Sequence, residues 1–425
     1  MLPMRSNNQK QIEIWADWVP LTEPVLIGVL SAHLSRGKEV FSFEYESTWL
    51  RSPHVFALDP ALILHSGKQY LTDDKPNFGL FLDSSPDRWG RTLIERREAI
   101  LARHEKRPVK KLLESDFLLG VFDEYRLGGL RLKYTDGPFL DNNREYPTPP
   151  WSSIRELQSI SLKLEEENIE NNPKYSKWLQ MLFAHGSSLG GARPKATVCD
   201  LRGNLWIAKF PSRSDSQDVG AWEYIVYELA NNCGITIPAA QVIKVGSKHH
   251  TFLSKRFDRT DSGKRIHFSS AMTLLERKDG DDSGLGASYL ELVDFLVESG
   301  ANTNKDLEEL WKRIVFSICV SNTDDHLRNH GFLLTNDGWR LSPAFDMNPN
   351  PCGNGLSLNI SDSSNEQSLE VALDVCADFR LEQERAKKII SKIRTEVSKW
   401  PDLAKQLRIS KTEQARMKEA FKVAE

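Results

Sequence analysis

The run that most restricts this chain is Val320-Ser-Asn-Thr-Asp324-Asp-His-Leu-Arg-Asn329-His-Gly331, together with the hairpin and the acid just beyond it. An acid, Asp324, is followed five positions later by an amide, Asn329. A strand is expected at Phe332-Leu-Leu-Thr, a turn at Asn336-Asp-Gly338 and a second strand from Trp339. Asn/Asp-Gly between apolar runs is a strong hairpin signal. A second acid then stands in Leu341-Ser-Pro-Ala-Phe-Asp346-Met-Asn-Pro349. Acid, amide, hairpin, acid is the order that a magnesium–nucleotide site for phosphoryl transfer uses. Such chemistry needs positioning and charge neutralisation, so one base and two hard oxygen ligands suffice. The same residues also describe an ordinary polar loop, in which Asp caps a turn or is solvated. This stretch alone leaves both readings open.

The composition is that of a soluble globular protein, with 40% hydrophobic and 27% charged residues. At 425 residues two or three domains are expected. A net charge of −3 supplies no field that draws the chain to nucleic acid or acidic membranes. The basic run Arg96-Arg97, Arg103, Lys106-Arg107 and Lys110-Lys111 reads as a solvated helix face, because no stacking aromatics are interleaved with it. Five cysteines are scattered without a Cys-x-x-Cys pair, which argues against a disulfide framework or zinc site and for a reducing compartment. No apolar run approaches the ~18 residues of a membrane span, and the first residues lack an apolar signal core. A cytoplasmic protein is the expectation.

Residues 12–45 read as strands: Ile12, Ile14, Ala16 and Trp18, and again Phe41, Phe43 and Tyr45, alternate with polar residues, which puts one face on a core, and Val25–Leu30 is a short buried run. Residues 86–118 read as helical, and the Pro, Asp, Asn and Gly of 134–150 read as a linker. The expected domains are therefore a strand-rich α+β part over 1–150, an upper lobe over 151–262 and a helical lobe over 263–425.

The upper lobe opens on His185-Gly-Ser-Ser-Leu-Gly190-Gly-Ala-Arg-Pro-Lys195. Glycines leave backbone N–H groups free to face phosphate oxygens. Ala192 stands where a Walker loop has lysine, so this is not a Walker loop, and a tight turn explains the glycines equally. A hairpin comes next, ending Trp206-Ile-Ala-Lys209. A lysine among apolar strand residues is costly to bury unpaired, and a nucleotide-phosphate lysine of kinases sits in similar surroundings. Glu223, placed in the first turn of a helix over 220–233, either pairs with Lys209 or favours the helix dipole. Ser254-Lys-Arg-Phe-Asp258-Arg259 falls where a hinge would offer backbone groups to adenine. A helix over 288–299 stops at Gly300, another over 304–320 carries apolar residues on one face, and Trp400-Pro401 divides the helical C-terminal part.

With these pieces in order, the chain resembles the HipA family of serine/threonine kinases, toxins of bacterial toxin–antitoxin pairs. The resemblance runs over nearly the whole length. It rests on Ser188-Leu-Gly-Gly-Ala-Arg-Pro-Lys195, Lys255-Arg-Phe-Asp-Arg259, Asn322-Thr-Asp324-Asp-His-Leu-Arg-Asn329 and Ser342-Pro-Ala-Phe-Asp346. It implies a two-lobed protein-kinase-like α+β fold with an all-helical C-terminal lobe. It further implies ATP and Mg²⁺ as cofactors, Asp324 as catalytic base, and Asn329 and Asp346 as Mg²⁺ ligands. Lys209 would bind the nucleotide phosphates, and Lys255, Arg256 and Phe257 would supply the hinge. Ser188, Gly190, Gly191, Ala192 and His326 would complete the nucleotide site. Ser188 matches the position of autophosphorylation in the family's loop; Ser187 beside it is the alternative. A phosphate placed there would be repelled by those of ATP.

The family's partners imply a HipB-like helix-turn-helix antitoxin, DNA contacted only through it, no membrane, and a protein substrate such as an aminoacyl-tRNA synthetase. Departures exist. Ala192-Arg-Pro-Lys195 replaces a common Ala-Gln-Glu-Lys, and there is no His-Arg-Asp or Asp-Phe-Gly. Two other function classes stay open: a nucleotide-binding scaffold in a repressor complex, and a small-molecule phosphotransferase.

Overall fold

The computed structural model describes residues 9–71, 74–140, 149–183, 191 and 193–425. The chain divides into two compact units, each assembled from several stretches. The first comprises Met1–Pro149, Asn168–Ala192 and Asp258–Ser269; the second comprises Pro150–Glu167, Arg193–Phe257 and Ser270–Glu425.

The first unit is built on an antiparallel sheet of β1 (Gln9–Ala16), β2 (Val25–Ser35), β3 (Lys38–Tyr45), β4 (Lys68–Tyr70) and β5 (Leu130–Tyr134), in the order β4-β3-β2-β1-β5. The period-two pattern has the expected effect. Ile12, Ile14, Ala16, Phe41, Phe43 and Tyr45 are buried, and Ile12 pairs with Leu30, which pairs in turn with Phe43. The helical stretch expected over 86–118 is interrupted. One helix spans Arg88–His104, capped where Asp87 accepts a bond from the Gly90 N–H, and a short one spans Glu114–Leu119. Pro108 lies between them and has no N–H to continue the ladder. Glu98 gathers the intervening basic residues, accepting from the Arg107 guanidinium and from the Lys110 N–H at 2.7 Å.

The second unit contains a four-stranded antiparallel sheet of β6 (Lys195–Cys199), β7 (Leu205–Lys209), β8 (Ala240–Ile243) and β9 (Thr251–Lys255), in the order β6-β7-β9-β8. The helix Val219–Cys233 packs on β8 and β9. Its start passes so close to the strand that a Cβ on Gly220 would lie 2.4 Å from the His250 carbonyl oxygen, so only glycine fits there. Gly234, at φ 78°, turns the chain out of the helix.

At the centre of this unit runs the helix Thr303–Val320. Leu307, Leu310, Trp311, Ile314, Val315, Phe316, Ile318, Cys319 and Val320 are fully buried, so its second half is apolar nearly all round. The Trp311 indole donates to the Ala372 carbonyl at 2.9 Å. Arg313, also buried, pairs with Glu309 one turn earlier and donates to the Ser342 carbonyl. Around it stand the helices Tyr289–Ser299, opened by a Ser288/Glu291 capping box, Leu369–Asp374 and Gln383–Val397. Pro401 sits in the first turn of Trp400–Gln406, where its missing N–H costs nothing. The expected hairpin is present: Gly331–Thr335 and Gly338–Leu341 pair antiparallel across the Asn336-Asp turn. From residue 271 onward the described structure is otherwise helical or loop.

All five cysteines are free. Among the described residues no helix is long and apolar enough to cross a membrane.

Truncating the fully buried Ile314 to alanine is expected to cost about 3 kcal/mol of unfolding free energy. Leu201→Ala, at a fully exposed turn, should stay within about 0.5 kcal/mol. Denaturant unfolding of the two variants beside the parent protein measures both.

Candidate active site

The lysine, the two acids and the amide of the site, Lys209, Asp324, Asn329 and Asp346, all lie in the second unit. Lys209 is the last residue of β7, with Lys195 opposite it on β6 and Phe252 opposite it on β9. Its ammonium lies 2.5 Å from Glu223 Oε1 and 2.5 Å from Asp346 Oδ1. One cation is thus shared by two carboxylates that come from a helix and from the segment beyond the hairpin. Of the two roles open to Glu223, the ion pair is the one formed. Because the helix begins at Val219, Glu223 lies beyond its first turn, not within it.

Burial alone would lower the Lys209 pKa, but Asp346 and Glu223 outweigh it and raise it. Burial likewise works against the Asp346 carboxylate. Lys209 first, then Lys195 and His326, pull its pKa down to about 2, so it is ionised at neutral pH. For Glu223 burial wins, and its pKa is raised despite Lys209. Asp346 is the permanent anion of the pair, and about a third of its side chain stays open to solvent. Its backbone is left-handed, at φ 56°. Asn348 supports it, donating from Nδ2 to Asp346 Oδ1 at 3.3 Å and from its N–H to Asn322 Oδ1 at 3.1 Å.

The central helix ends in a left-handed Ser321 and delivers the loop that carries Asp324. Asp324 is exposed. The five-residue gap closes on itself: Asn329 Nδ2 donates to the Asp324 carbonyl at 3.0 Å, and the Asn329 N–H to the His326 carbonyl at 2.8 Å. With its amide nitrogen so committed, Asn329 presents Oδ1 as its acceptor. Asp325, the neighbouring acid, is buried. It accepts from the Tyr289 hydroxyl at 2.6 Å and the Ser317 hydroxyl at 3.3 Å, and its other oxygen is 3.1 Å from His330 Nε2. Burial would raise its pKa; His330 and the Tyr289 bond bring it below the usual range. Asp325 is therefore structural in setting and Asp324 is the acid facing outward.

His326 interacts electrostatically with both Asp325 and Asp346, and its Nδ1 is buried without a hydrogen-bond partner among the described residues. At the end of β9 the Lys255 N–H donates to the Ala239 carbonyl at 2.8 Å and the Arg256 N–H to that of Leu205 at 2.9 Å. Those two groups are committed within the sheet. The Phe257 ring lies 5.5 Å from that of Phe345, next to Asp346. Of the Gly-rich segment, Ser187, Ser188, Gly190 and Ala192 lie outside the described residues. Gly191 has φ 85°, which favours glycine. Beyond it Arg193 grips Asp215 through both terminal guanidinium nitrogens, at 2.9 and 2.5 Å.

Among the described residues no three His, Cys, Asp or Glu side chains are grouped to hold a metal ion. The donor set nevertheless suits Mg²⁺. The oxygens are of the right type: the ionised Asp346 carboxylate, the Asn329 amide oxygen, and Asn348 Oδ1, buried without a hydrogen-bond partner among the described residues. Mg²⁺ takes few protein oxygens and fills its shell with water and substrate phosphates.

Sequence reasoning missed Asn348, Asp215 and the Tyr289–Asp325 bond. Asn348 had a visible signal, a polar residue two positions after the second acid. Tyr289 had none, because it lies in the helix Tyr289–Ser299, 36 residues before Asp325.

A model of the HipA-like C-terminal domain matches residues 187–400. A Haemophilus influenzae protein named "Putative kinase" is 26% identical over 180 residues, 38% of this chain and 52% of that one. "Putative kinase Y4dM" of Sinorhizobium fredii is 29% identical over 158 residues, 34% of this chain and 37% of that one. The matches thus span about half or less of these curated relatives. Among solved structures, HipA of Shewanella oneidensis, in a complex with HipB and operator DNA, superposes with a TM-score of 0.64. That likeness is at 15% identity and covers 97% of this chain and 95% of the other, and it establishes a shared α+β fold.

Replacing Lys209 with methionine leaves Glu223 and Asp346 facing each other without their cation. A loss on the order of 3 kcal/mol in unfolding free energy is expected at pH 7. Lys209 is among the groups that hold the raised Glu223 pKa down, so in the variant the folded state binds that proton more tightly than in the parent and gains more from protonation. The deficit should therefore narrow as pH falls from 7 toward the ordinary glutamate range near 4.5. Denaturant unfolding of both proteins across that interval reads it.

Proposed function

Since the chain belongs to the HipA-like family, we propose that it is an ATP- and Mg²⁺-dependent serine/threonine protein kinase. The observation that carries this reading is the Lys209 ammonium held between Glu223 and Asp346. Kinases need such a strand lysine, paired to a helix glutamate, to engage nucleotide phosphates, and an acid beside it for magnesium.

In this mechanism Lys209 neutralises phosphate charge and Glu223 fixes its direction. Asp346 and Asn329 would hold Mg²⁺, which supplies neutralisation of the charge that develops on the transferred group. Asp324, exposed and anchored through its own carbonyl to Asn329, accepts the proton of the acceptor hydroxyl. Asp325 cannot serve as that base without giving up the Tyr289 and Ser317 bonds that bury it. His326 completes the nucleotide contacts in this reading, with the backbone groups of Lys255–Phe257 other than the two committed N–H groups as the hinge. Ser188, with Ser187 as alternative, is the proposed acceptor for autophosphorylation.

In the Shewanella oneidensis structure HipA is in a complex with HipB and operator DNA. By that precedent we propose a HipB-like antitoxin, read as a small helix-turn-helix protein, as the partner of this chain, with DNA contacted through it; a protein substrate such as an aminoacyl-tRNA synthetase rests on the family resemblance alone. A cytoplasmic location accords with this assignment.

Intact mass and peptide mapping before and after incubation with Mg-ATP test the reading, on unmodified starting protein. The parent protein should gain phosphate at Ser188 or Ser187, and Asp324→Ala should gain none while remaining folded. Equal incorporation in both would remove Asp324 as base. No incorporation in either would favour a nucleotide-binding scaffold or a non-protein acceptor.

A further inference from the structure

Trp222 and Glu223 are adjacent on one helix, yet they answer to different parts of the molecule. Glu223 reaches Lys209. Trp222 is locked onto the C-terminal segment: its ring lies 5.9 Å from that of Trp400 and 6.2 Å from that of Phe421, which stack on each other at 4.8 Å. The Trp222 indole N–H donates to Glu413 Oε1 at 2.9 Å. The same oxygen accepts the backbone N–H of Asp218 at 2.7 Å. Asp218 is the N-cap of that helix. Its carboxylate accepts the Ala221 N–H and the His250 N–H, and lies 2.5 Å from His250 Nδ1.

From these contacts we infer that Glu413, with Trp400 and Phe421, forms a C-terminal latch that sets the helix Val219–Cys233 so that Glu223 can reach Lys209. Glu413, Trp400 and Phe421 are positioning residues, since they act on the reacting groups only through that helix. The magnitudes favour this role. A helix slipped by one residue moves about 1.5 Å along its axis, and one residue of rotation is about 100°. The Lys209–Glu223 contact of 2.5 Å tolerates neither. Trp222 is fully buried, so the helix cannot turn without tearing it from its ring partners. Glu413 bonds the cap residue and the residue beside Glu223 at once, and so fixes both translation and rotation.

This inference rests on the phosphoryl-transfer reading, and its test separates the two. Self-phosphorylation rates are measured against Mg-ATP concentration for the parent, Glu413→Ala, Glu413→Gln, Glu223→Gln and the Glu413→Ala/Glu223→Gln double variant. Thermal midpoints are recorded for all. Glu413→Ala is expected to lower the maximal rate between about ten- and a hundredfold, with KM within about twofold. Glu413→Gln, whose amide oxygen accepts the same two N–H groups, should restore the parent rate. In the Glu223→Gln background Glu413→Ala should add less than about twofold, because its effect passes through Glu223. An equal loss in both backgrounds, or no loss in Glu413→Ala, overturns the latch. If Glu413→Ala does not fold, Phe421→Leu takes its place in the same cycle, with the same two outcomes decisive. A parent protein without phosphoryl transfer overturns the kinase reading alone. The latch is then judged by amide hydrogen exchange: faster exchange over 218–223 in Glu413→Ala sustains it, and unchanged exchange there overturns it.

Discussion

A single ammonium group shared by two carboxylates governs the second unit. Lys209 cannot sit at the end of a buried strand unless its charge is met. Meeting it requires a helix on one side and the segment after the hairpin on the other. The sheet, the helix Val219–Cys233 and the loop bearing Asp346 are therefore tied together electrostatically as well as by packing. The three groups are not equivalent. Asp346 stays ionised and partly open, whereas Glu223 is buried and holds its proton more tightly. The outer carboxylate is suited to a hard cation and the inner one to orienting the lysine.

The second constraint comes from the core. Thr303–Val320 is apolar on almost every side in its last turns, so the loop it delivers starts from a fixed point. Asp325 continues that rigidity outward, because Tyr289, Ser317 and His330 surround it. Two adjacent acids thus divide the work. One is fastened inside, and the other is presented outside on a backbone held by Asn329.

Much of this was legible in the linear chain because it depended on local signals. Alternation placed β1 and β3, the apolar run from Val25 placed β2, the Asn336-Asp-Gly turn placed the hairpin, and the five-residue gap marked Asp324 and Asn329. The strand lysine was conspicuous because an unpaired charge among apolar residues is costly. What escaped notice is non-local. The Arg193–Asp215 clamp and the Tyr289–Asp325 bond join residues far apart in sequence, and no periodicity records such a pairing. The break in the helical run at 105–113 escaped because the surrounding periodicity outweighed a single proline.

The left-handed backbone of Asp346 carries a consequence for how this architecture can age. At such a φ glycine, asparagine and aspartate are the favoured residues, and β-branched side chains are the most strained. The two other favoured residues, glycine and asparagine, both remove the carboxylate. Mutational drift at this position therefore leads most easily to a protein that keeps its fold and loses its anion. A chain of this kind is one base change away from becoming a silent relative of itself, with its surfaces intact and its chemistry gone.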